Sequence, residues 1–478
     1  MGDKQGTVKT VKIYNTLNRR LEVLETIKEG EVGFYACGPT VYNYAHIGNL
    51  RTYISEDFVR RTLAAAGYKV RHVMNITDVG HLQHDEEESG EDKMCLASKR
   101  EKKSPWEIAR YYEDTFFEDC TKLNIIRPEV TCRATDFIEH MIEFIGKIEE
   151  KGFTYDVDGN VYFSIDKWPE YGKLARLNLE ADDVTRVETD TKKKNPRDFV
   201  LWFSQSKFPN QIMKWDSPWG NGFPGWHVEC SVMATHFLGE QFDLHMGGID
   251  HIPIHHTNEI AQSEACLGHQ WVNYWAHCEF LIIDNEKMSK SDGNFLRMQT
   301  LEDKGIDPMY YRYFCATAGY RTQLKFSWEA LAAARDGFEA LKNRVVSWKH
   351  QAKKRKGNAV ENPKMPEYRD QFWSAAFNDF NVPQALGVLW TMAKDSALAA
   401  EDKLDLIIDF DRLMGFGVED FSRPDLPEEL VAIIKKREEA RASKDWATSD
   451  QLRDELLAQG IQLKDTPQGT DWYRVVKD

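Results

Sequence analysis

The sequence of 478 residues lacks the features that would tie it to a membrane. It has no apolar run of 18 residues, so we expect no transmembrane helix. Its first residues, MGDKQGTVKT, lack the apolar core of a signal peptide. Gly6 stands where the myristoylation pattern requires Ser or Thr. We therefore expect a cytoplasmic protein with no membrane partner.

Cysteine is scarce and scattered in this chain. The eight cysteines stand at positions 37, 95, 120, 132, 230, 266, 278 and 315, and none form a C-x-x-C pair. This pattern argues against a zinc ribbon or a thioredoxin-like redox site. We expect free and mostly buried thiols. Any metal site must then combine residues from distant segments.

Positive charge is in deficit, with 62 Lys and Arg against 77 Asp and Glu and a net charge of −15. An acidic total argues, at first, against a nucleic-acid partner. The charge is uneven, however, because residues 85–92 are acidic, whereas 344–356 contain six Lys or Arg and no acidic residue. Residues 192–197 are also basic. An RNA partner would therefore meet selected basic strips on a repelling protein.

The apolar patterns predict an α/β fold. Residues 31–37 and 70–76 are strand-like, and residues 49–66 between them predict a helix that ends at Gly67. A strand–helix–strand unit with short connections predicts a doubly wound parallel sheet of the Rossmann-like kind. Further helical patterns cover 104–123 and 134–151.

The chain is long enough for two to four domains. Residues 152–215 have weak periodicity, which indicates an insertion, and residues 216–300 return to strand–helix alternation. From about residue 327 the pattern is helical, with apolar positions at spacings of three and four. Breaks at 349–357 and 421–427 predict linkers.

Two segments contain residues suited to binding phosphates. After a strand end, His46 and Asn49 at a helix start could donate to phosphate oxygens, and Gly48 permits close approach of a ligand. Lys287 and Lys290 lie on a polar loop and could meet charge that develops on a leaving group. An ordinary helix start and a solvated loop are the alternatives.

A metal site can be assembled from three segments. Cys37 and Cys230 offer thiolates, and His255 and Glu259 are four residues apart, on one face of a helix. Such a set of two cysteines, one histidine and one glutamate suits zinc. His256 is three residues from Glu259, so spacing alone leaves the choice of histidine open.

A third glycine-containing segment follows another predicted strand end. Residues 243–250 run from Asp243 through Gly247 and Gly248 to Asp250. The glycines suit close packing of a base and ribose, and Asp250 could accept a ribose hydroxyl. A plain glycine turn is the alternative.

Together these segments resemble the class I aminoacyl-tRNA synthetases. Residues 46–49 (HIGN) resemble the HIGH signature of that class, and residues 287–291 match KMSKS. Asn49 departs from the signature but keeps a donor, so we expect a modest effect. The longer segments resemble the cysteinyl-tRNA synthetase family: 35–53, 75–80, 195–202, 217–231, 255–265, 271–295 and 441–474.

The resemblance implies a set of site residues. It implies one zinc ion per chain on Cys37, Cys230, His255 and Glu259, which selects His255 over His256. For ATP it implies contacts with Pro39, Thr40, His46, Gly48, Asn49, His245, Gly247, Asp250 and Lys290. For the substrate cysteine it implies Gly38, Thr77 and Trp226.

The resemblance also implies a reaction in two steps, in which cysteine and ATP form cysteinyl-adenylate and the cysteinyl group then moves to tRNA(Cys). Catalysis would rest on positioning and on charge stabilisation by His46, Asn49, Lys287 and Lys290. Mg²⁺ would accompany ATP. Zinc would bind the substrate thiolate, which selects cysteine over serine without an editing domain. We expect a monomer.

For the domains, the resemblance implies a catalytic domain in two halves, an insertion, and a C-terminal region that recognises the anticodon. The halves cover 1–151 and 216–300, the insertion 152–215, a stem-contact connector 301–345, a helical bundle 346–420 and the anticodon region 421–478. Trp446, Trp472 and Tyr473 are candidates to stack on unpaired bases, with core packing as the alternative.

Two other functions remain open from the sequence. One is a related ligase that couples activated cysteine to an amino-sugar. The other is a zinc-containing RNA-binding protein without catalysis, against which the complete metal set and the lysine loop argue. Basic residues of the C-terminal region favour tRNA over an amino-sugar: Lys435, Lys436, Arg437 and Arg441.

Overall fold

The computed structural model describes residues 8–79, 93–177, 193–205, 212–283, 296–352, 362–422, 426–466 and 469–474. The acidic segment 85–92 and the lysine loop 287–291 lie outside the described residues. Among the described residues, no helix is long and apolar enough to cross a membrane. The seven cysteines whose side chains are described are free and buried, as the sequence predicts.

Fourteen helices are described, besides short 3₁₀ turns. The bounds are α1 Ile47–Ala65, α2 Lys93–Glu101, α3 Pro105–Lys122, α4 Ile138–Glu150, α5 Trp226–Leu238, α6 His255–Leu267, α7 Met298–Asp303, α8 Pro308–Ala316, α9 Trp328–Gln351, α10 Lys364–Phe377, α11 Val382–Lys394, α12 Ala400–Met414, α13 Glu428–Ala442 and α14 Trp446–Ala458.

Fifteen strands are described in the same ranges. They are β1 Lys12–Asn15, β2 Arg20–Val23, β3 Glu31–Ala36, β4 Lys69–Ile76, β5 Val130–Arg133, β6 Thr154–Val157, β7 Asn160–Phe163, β8 Phe199–Phe203, β9 Phe223–Pro224, β10 Phe242–Gly248, β11 Val272–Cys278, β12 Leu281–Ile283, β13 Leu324–Phe326, β14 Ile461–Thr466 and β15 Gly469–Arg474.

Five parallel strands form the central sheet, in the order β11-β10-β3-β4-β5. From the middle strand β3 the chain moves to one side through β4 and β5. It then returns to the other side of β3 through β10 and β11. This reversal defines a doubly wound sheet and confirms the predicted fold class.

The reversal places the ends of two strands next to each other. In such sheets ligands bind in the crevice outside the carboxyl ends of the strands, where the direction of winding changes. Here the crevice lies beyond β3 and β10. The amide of Cys37 donates to the carbonyl of Met246 at 3.2 Å and joins the two strand ends. Residues that follow either strand therefore face a common space.

The first strand–helix–strand unit matches the sequence prediction closely. The predicted strands 31–37 and 70–76 correspond to β3 and β4, and the predicted helix 49–66 corresponds to α1. The helix ends at Ala65, Ala66 is its C-cap, and Gly67 follows with a φ of 99°. That backbone conformation favours glycine, which is why the helix stops there.

One hydrophobic core extends from this sheet into the neighbouring helices. Its cluster joins residues of β3, α4, α5 and α6, and its largest buried members are Trp202, Trp271 and Trp275. Burial of a large apolar side chain contributes about 1.5–3 kcal/mol. The strand ends that border the crevice are therefore set in a rigid frame.

The segment predicted as an insertion forms its own antiparallel sheet. Its four strands pair in the order β6-β7-β8-β9, separate from the parallel sheet. The last of them, Phe223–Pro224, lies beyond the predicted boundary at residue 215. The domain boundaries from the sequence stay predictions, since the sheet alone does not define a domain.

The chain divides into two compact units. The first comprises residues 1–331 and 373–386, and the second comprises 332–372 and 387–478. In the second unit the predicted helical pattern is confirmed as far as Ala458. The predicted linker at 349–357 starts too early, because α9 continues through Gln351 with Trp348 buried on its inner face.

The prediction of helix from residue 327 onward is wrong at the C-terminus. Gly460, with a φ of 79°, follows α14, and β14 and β15 then pair as an antiparallel hairpin. Ile461 and Leu463 point into a small core with Ile434 and Leu456. The alternation of these two apolar residues is the strand signal that the helical interpretation missed.

The hairpin also changes the interpretation of one basic residue. Arg437 is only 1% exposed, and its guanidinium donates two hydrogen bonds to Asp465 of β14 at 2.9 and 3.0 Å. It therefore joins α13 to the hairpin and does not offer charge to RNA. Lys435 and Lys436 are exposed, and Trp446 is 56% exposed, whereas Trp472 packs against the small core.

Candidate active site and metal centre

An open cavity lies beyond the carboxyl ends of β3, β4 and β10. Its walls include many of the residues predicted from the sequence. These are Cys37, Gly38, Pro39, Thr40, His46, Asn49, Thr77, Trp226, Cys230, Asp250 and His255. The winding of the sheet thus gathers residues from four distant segments at one place.

The loop after β3 is fixed against the end of β4. The amide of Gly38 donates to Asn75 Oδ1 at 2.8 Å, and a Cβ at this glycine would overlap the carbonyl of Asn75. Thr77 N–H donates to the carbonyl of Pro39 at 3.0 Å, and Val41 N–H donates to the carbonyl of Thr77 at 3.1 Å. The loop is therefore held rigidly along one wall of the cavity.

His46 and Asn49 form the start of α1. The imidazole Nδ1 of His46 accepts the amide of Asn49, and the side-chain oxygen of Asn49 accepts the amide of His46, both at 3.2 Å. Burial lowers the pKa of His46, so the ring is neutral and its proton lies on Nε2. Nε2–H of His46 and the NH₂ group of Asn49 are thus the donors that this helix start offers to an anion.

Glycine at position 48 fits the same helix start. A Cβ there would come within 2.9 Å of the His46 ring. The residue is therefore required by the position of His46, and it is not among those that line the cavity. From the sequence, Gly48 was expected to permit ligand approach and to contact ATP, and its role beside His46 was not foreseen.

Four buried side chains converge next to the cavity. The ligand atoms of Cys37, Cys230, His255 and Glu259 all lie within 4.8 Å of one another. Cys37 follows β3, Cys230 lies on α5, and the other two lie on α6. Two thiols, one imidazole and one carboxylate are the donors that zinc prefers, so this set fits the metal predicted from the sequence.

A second set of four shares two of these ligands. The ligand atoms of Cys37, His245, His256 and Glu259 also all lie within 4.8 Å of one another. The Sγ of Cys37 is 3.3 Å from Nε2 of His256. The choice between His255 and His256, open from spacing, is therefore geometrically open in the structure too. The first set has two sulfur donors and the second has one.

The electrostatics of the cluster favour a cation. Burial would raise the pKa of the Glu259 carboxyl, but the imidazoles of His245 and His255 hold it well below its usual range. Burial opposes protonation of His255, yet Glu259 and Cys230 raise its pKa to about 10. Oε1 of Glu259 lies 2.7 Å from Nε2 of His255, and both side chains are buried. The negative groups that keep a proton on His255 at neutral pH would also attract a metal cation in its place.

Only some of the residues predicted to bind the nucleotide line the cavity. Asp250 lines the cavity, and Gly247 is packed so closely that a Cβ would come within 2.8 Å of His251. The side chain of His245 is fully buried, and its Nε2–H donates to the Glu259 carboxylate oxygen Oε2 at 2.7 Å. It thus reaches the metal cluster and not the cavity. Lys287 and Lys290 lie outside the described residues.

Two polar residues near the cavity, Asn75 and Glu229, were not predicted as site residues from the sequence. Thr77 Oγ1 donates to the fully buried carboxylate of Glu229 at 3.1 Å and accepts from Asn75 Nδ2 at 3.1 Å. Glu229 directly precedes Cys230 on α5. Its complete burial marks it as a candidate site residue, and burial of a single acidic residue cannot be inferred from sequence spacing. Trp226, at the start of the same helix, has its ring 4.3 Å from that of His255.

Comparison with protein families gives two matches along the chain. Residues 23–336 match the model described as tRNA synthetases class I (C) catalytic domain. Residues 423–472 match the model described as cysteinyl-tRNA ligase anticodon binding domain. The first match includes every described residue of the cavity, and the second includes the C-terminal hairpin as far as Trp472.

Curated relatives match over nearly the whole length. The cysteine–tRNA ligase of Treponema denticola is 44% identical over 492 residues, which cover 98% of this chain and 100% of the relative. Cysteine–tRNA ligase 1 of Burkholderia lata is 44% identical over 462 residues, with coverage of 96% and 95%.

Solved structures share the fold at low sequence identity. Methionyl-tRNA synthetase of Mycobacterium tuberculosis, in complex with methionyl-adenylate, has a TM-score of 0.55 at 16% identity, over 80% of this chain and 89% of that chain. A putative arginyl-tRNA synthetase of Campylobacter jejuni has a TM-score of 0.51 at 12% identity, with coverage of 83% and 94%. These two likenesses concern the fold alone.

Proposed function

The chain belongs to the cysteine–tRNA ligase family of class I synthetases, and from this premise we propose that it joins L-cysteine to tRNA(Cys) at the expense of ATP. The carboxylate of cysteine attacks the α-phosphate, and the bond to pyrophosphate breaks. A hydroxyl of the terminal ribose then attacks the mixed anhydride and releases AMP. No protein nucleophile is needed in either step.

The observation that carries this proposal is one shared cavity. Cys37, Cys230 and His255 of the metal cluster line the same cavity as His46 and Asn49 of the helix start. A thiol-binding centre and an anion-binding helix start thus face one space. Their proximity fits a substrate that has a thiol at one end and a carboxylate that must meet a phosphate.

We assign the ATP side of the cavity to the residues that can donate to phosphate or pack against the nucleoside. His46 Nε2–H and the Asn49 amide donate to phosphate oxygens, and Asp250 accepts a ribose hydroxyl. Pro39 and Thr40, which line the cavity, are further contacts, and Lys287 and Lys290 stabilise the charge on pyrophosphate. Gly48 and Gly247 do not line the cavity and instead leave room for the rings of His46 and His251. Mg²⁺ accompanies ATP. His245 acts through Glu259, which it contacts at 2.7 Å.

We assign the amino-acid side to the metal cluster and its surroundings. Zinc, held by Cys37, Cys230, His255 and Glu259, would act as a thiophilic Lewis acid that binds the substrate thiolate. The rigid loop at Gly38, the hydroxyl of Thr77 and the ring of Trp226 confine the rest of the amino acid. Serine lacks the thiolate, so its rejection exceeds the roughly 1–3 kcal/mol of a methylene-sized difference.

Transfer to RNA, and not to an amino-sugar, is supported by the second family match. An anticodon-binding region has no use in a ligase that acts on a small sugar, and residues 423–472 match such a region. We propose that exposed Lys435, Lys436 and Trp446 on this unit meet the anticodon arm. We further propose a cytoplasmic monomer with one zinc ion per chain.

Two assays on the purified full-length protein test the function. Cysteine-dependent exchange of pyrophosphate into ATP measures activation, and attachment of labelled cysteine to tRNA(Cys) or to an amino-sugar measures transfer. We expect exchange with cysteine, hardly any with serine, and transfer to tRNA only. Attachment to the sugar would show that the protein is instead the related ligase that couples cysteine to an amino-sugar. A folded, zinc-loaded sample with no exchange at all would refute an enzymatic role.

A further inference from the structure

Three tyrosines form a contiguous aromatic cluster at the rim of the cavity, in which Tyr44 and Tyr111 are the exposed members. Tyr44 precedes α1, whereas Tyr111 and Tyr112 lie on α3. Their ring centroids are 6.2 Å apart for Tyr44 and Tyr111, 4.9 Å for Tyr44 and Tyr112, and 5.2 Å for Tyr111 and Tyr112, all edge to face. The hydroxyls of Tyr44 and Tyr111 are 2.8 Å apart and share a hydrogen bond. We call these three rings the tyrosine platform.

The platform leads from the cavity to the solvent. Tyr44 and Tyr112 line the cavity together with His46. Tyr112 is 3% exposed, Tyr44 is partly exposed and Tyr111 is 41% exposed. A chain that lies across the platform would therefore enter the cavity at its inner end.

Cations surround the three rings. The guanidinium of Arg297 lies 4.3 Å above the ring of Tyr44, and Nζ of Lys103 lies 4.5 Å above that of Tyr111. Arg100 donates to the hydroxyl of Tyr112 at 3.0 Å. Residues 99–110 contain five Lys or Arg and two Glu, in a chain whose net charge is −15. Glu101 lies among these cations, because it pairs with Arg100 at 2.9 Å and accepts from the hydroxyl of Tyr112. Residues 99–110 nevertheless keep a net charge of +3, from five basic and two acidic residues.

We propose that the tyrosine platform and its cations bind the single-stranded 3′ end of the tRNA as it enters the cavity. The proposal rests on the proposed function, which requires the terminal ribose to reach the activated cysteine. Aromatic faces stack on unpaired bases, and flanking cations meet the phosphates between them. Stacking does not read base edges, so the platform provides affinity and direction, and recognition of the particular tRNA is left to other contacts.

The decisive experiment is a binding cycle that needs no catalysis. The Kd of the full-length protein is measured for intact tRNA(Cys) and for the same tRNA without its unpaired 3′ nucleotides, with wild type and with Tyr111→Ala. We expect Tyr111→Ala to weaken binding of intact tRNA between about 5-fold and 150-fold, the range for loss of one base stack. It should leave the Kd for the truncated tRNA unchanged. Equal weakening for both RNAs would overturn the proposal.

Matched variants separate stacking from general damage. Tyr111→Phe retains the ring and should retain the wild-type Kd within about 3-fold. Trp106→Ala removes another exposed aromatic residue of α3, which is 47% exposed and turned by about 140° from Tyr111 around the helix. Lys103→Glu should weaken binding of intact tRNA. Lys28→Glu makes the same change in charge at an exposed lysine just before the amino end of β3, whereas the cavity lies beyond the carboxyl end of that strand. Both control variants should bind intact tRNA as wild type does.

The assays also distinguish tRNA from ATP as the occupant. If the platform served the base of ATP, Tyr111→Ala would raise the KM for ATP in pyrophosphate exchange and spare the Kd for tRNA, and this would overturn the proposal. A wild-type protein without cysteine-dependent exchange would refute the proposed function. The binding cycle would still decide whether the platform holds the 3′ end.

Discussion

His46 and Asn49 cap the first helix of the catalytic sheet reciprocally, each side chain accepting the amide of the other residue at 3.2 Å. The fourth position of the signature therefore has a structural task besides any contact with phosphate. Asparagine performs the task with its oxygen and keeps its NH₂ group as a donor. This explains how the departure from histidine at this position is tolerated.

Two substitutions at Asn49 should separate its two roles. Asn49→Ala removes the cap and the donor, so we expect a loss of about 1 kcal/mol in the free energy of unfolding and a fall in exchange rate of about 10-fold to 100-fold. Asn49→Asp keeps an oxygen for the cap but lacks the donor, so it should lose only activity. Urea unfolding and pyrophosphate exchange measure the two effects. Equal stability of Asn49→Ala and wild type would contradict the capping role.

Removal of one thiolate should weaken zinc binding and reduce the discrimination between cysteine and serine. We expect Cys230→Ser to bind zinc at least about 10-fold more weakly and to lose part of its discrimination against serine in exchange. In the cobalt-substituted protein, the sulfur-to-metal absorption should fall to about half. Cys266→Ser, another buried free thiol outside the cluster, is the control. Unchanged discrimination in a zinc-free Cys230→Ser protein would refute the role of the metal in selection.

A pair of histidine variants should decide between the two geometrically possible ligand sets. If the metal has Cys37, Cys230, His255 and Glu259, then His255→Gln should lose zinc, and His256→Gln should retain it with unchanged cobalt absorption. The metal content of the dialysed proteins, with the cobalt spectrum, checks this. Loss of zinc in His256→Gln together with retention in His255→Gln would favour the second set, which has a single sulfur.

The stability of the catalytic unit should depend on pH through His72. The ring is buried, stacks on Phe34 at 4.4 Å, and has no hydrogen-bond partner among the described residues, and burial lowers its pKa from 6.5 to about 3. Between these values the unfolded chain binds a proton that the folded chain does not, so stability falls as the pH falls. From pH 6.5 to pH 5 we expect a loss of about 2 kcal/mol.

The substitution His72→Phe isolates this contribution. It keeps an aromatic ring against Phe34 but removes the titratable group. Urea unfolding at pH 8 and at pH 5 should show a smaller pH-dependent loss for the variant, by about 2 kcal/mol, because all other groups are shared. Parallel pH dependences for wild type and variant would contradict the depressed pKa of this ring.

A buried ion pair joins α1 to α8. Arg312 donates to Asp57 at 2.6 Å, and neither side chain is exposed to solvent. Arg312→Met leaves Asp57 with Arg61, at 2.7 Å, as its remaining ion-pair partner. We therefore expect a loss of about 1.5–3 kcal/mol in the free energy of unfolding, as for one hydrogen bond to a charged group. The double variant Arg312→Met with Asp57→Asn should recover part of that loss. A double variant as unstable as the sum of the single ones would show that the pair is not coupled.

Local patterns predicted the parts of the fold that depend on neighbouring residues. The spacing of apolar residues in β3, α1 and β4, together with the glycine at position 67, was sufficient to predict the first strand–helix–strand unit. The hairpin at 461–474 was missed because two alternating apolar residues are a weak signal beside a long helical pattern. The burial of Arg437 could not be inferred at all, since it depends on Asp465 in a strand that was not expected.

The candidate site could be predicted only where residue types restrict the chemistry. Cys37 and Cys230 are 193 positions apart in sequence, and their joint use depended on resemblance to a family until the winding of the sheet placed them together. Spacing could not choose between His255 and His256, because both lie in reach of Glu259 from one helix face. Glu229 escaped notice since a single acidic residue has no pattern.

The order of the strands also sets a condition on synthesis of the chain. Strand β3 pairs on one side with β4, which is made soon after it, but on the other side with β10, which begins only at residue 242. During translation the edge of β3 that pairs with β10 therefore stays unpaired until the whole insertion has been made. Unpaired edges invite association with other chains. Slow elongation before residue 248 should thus promote aggregation of this nascent chain, whereas the same pause after β10 should be harmless.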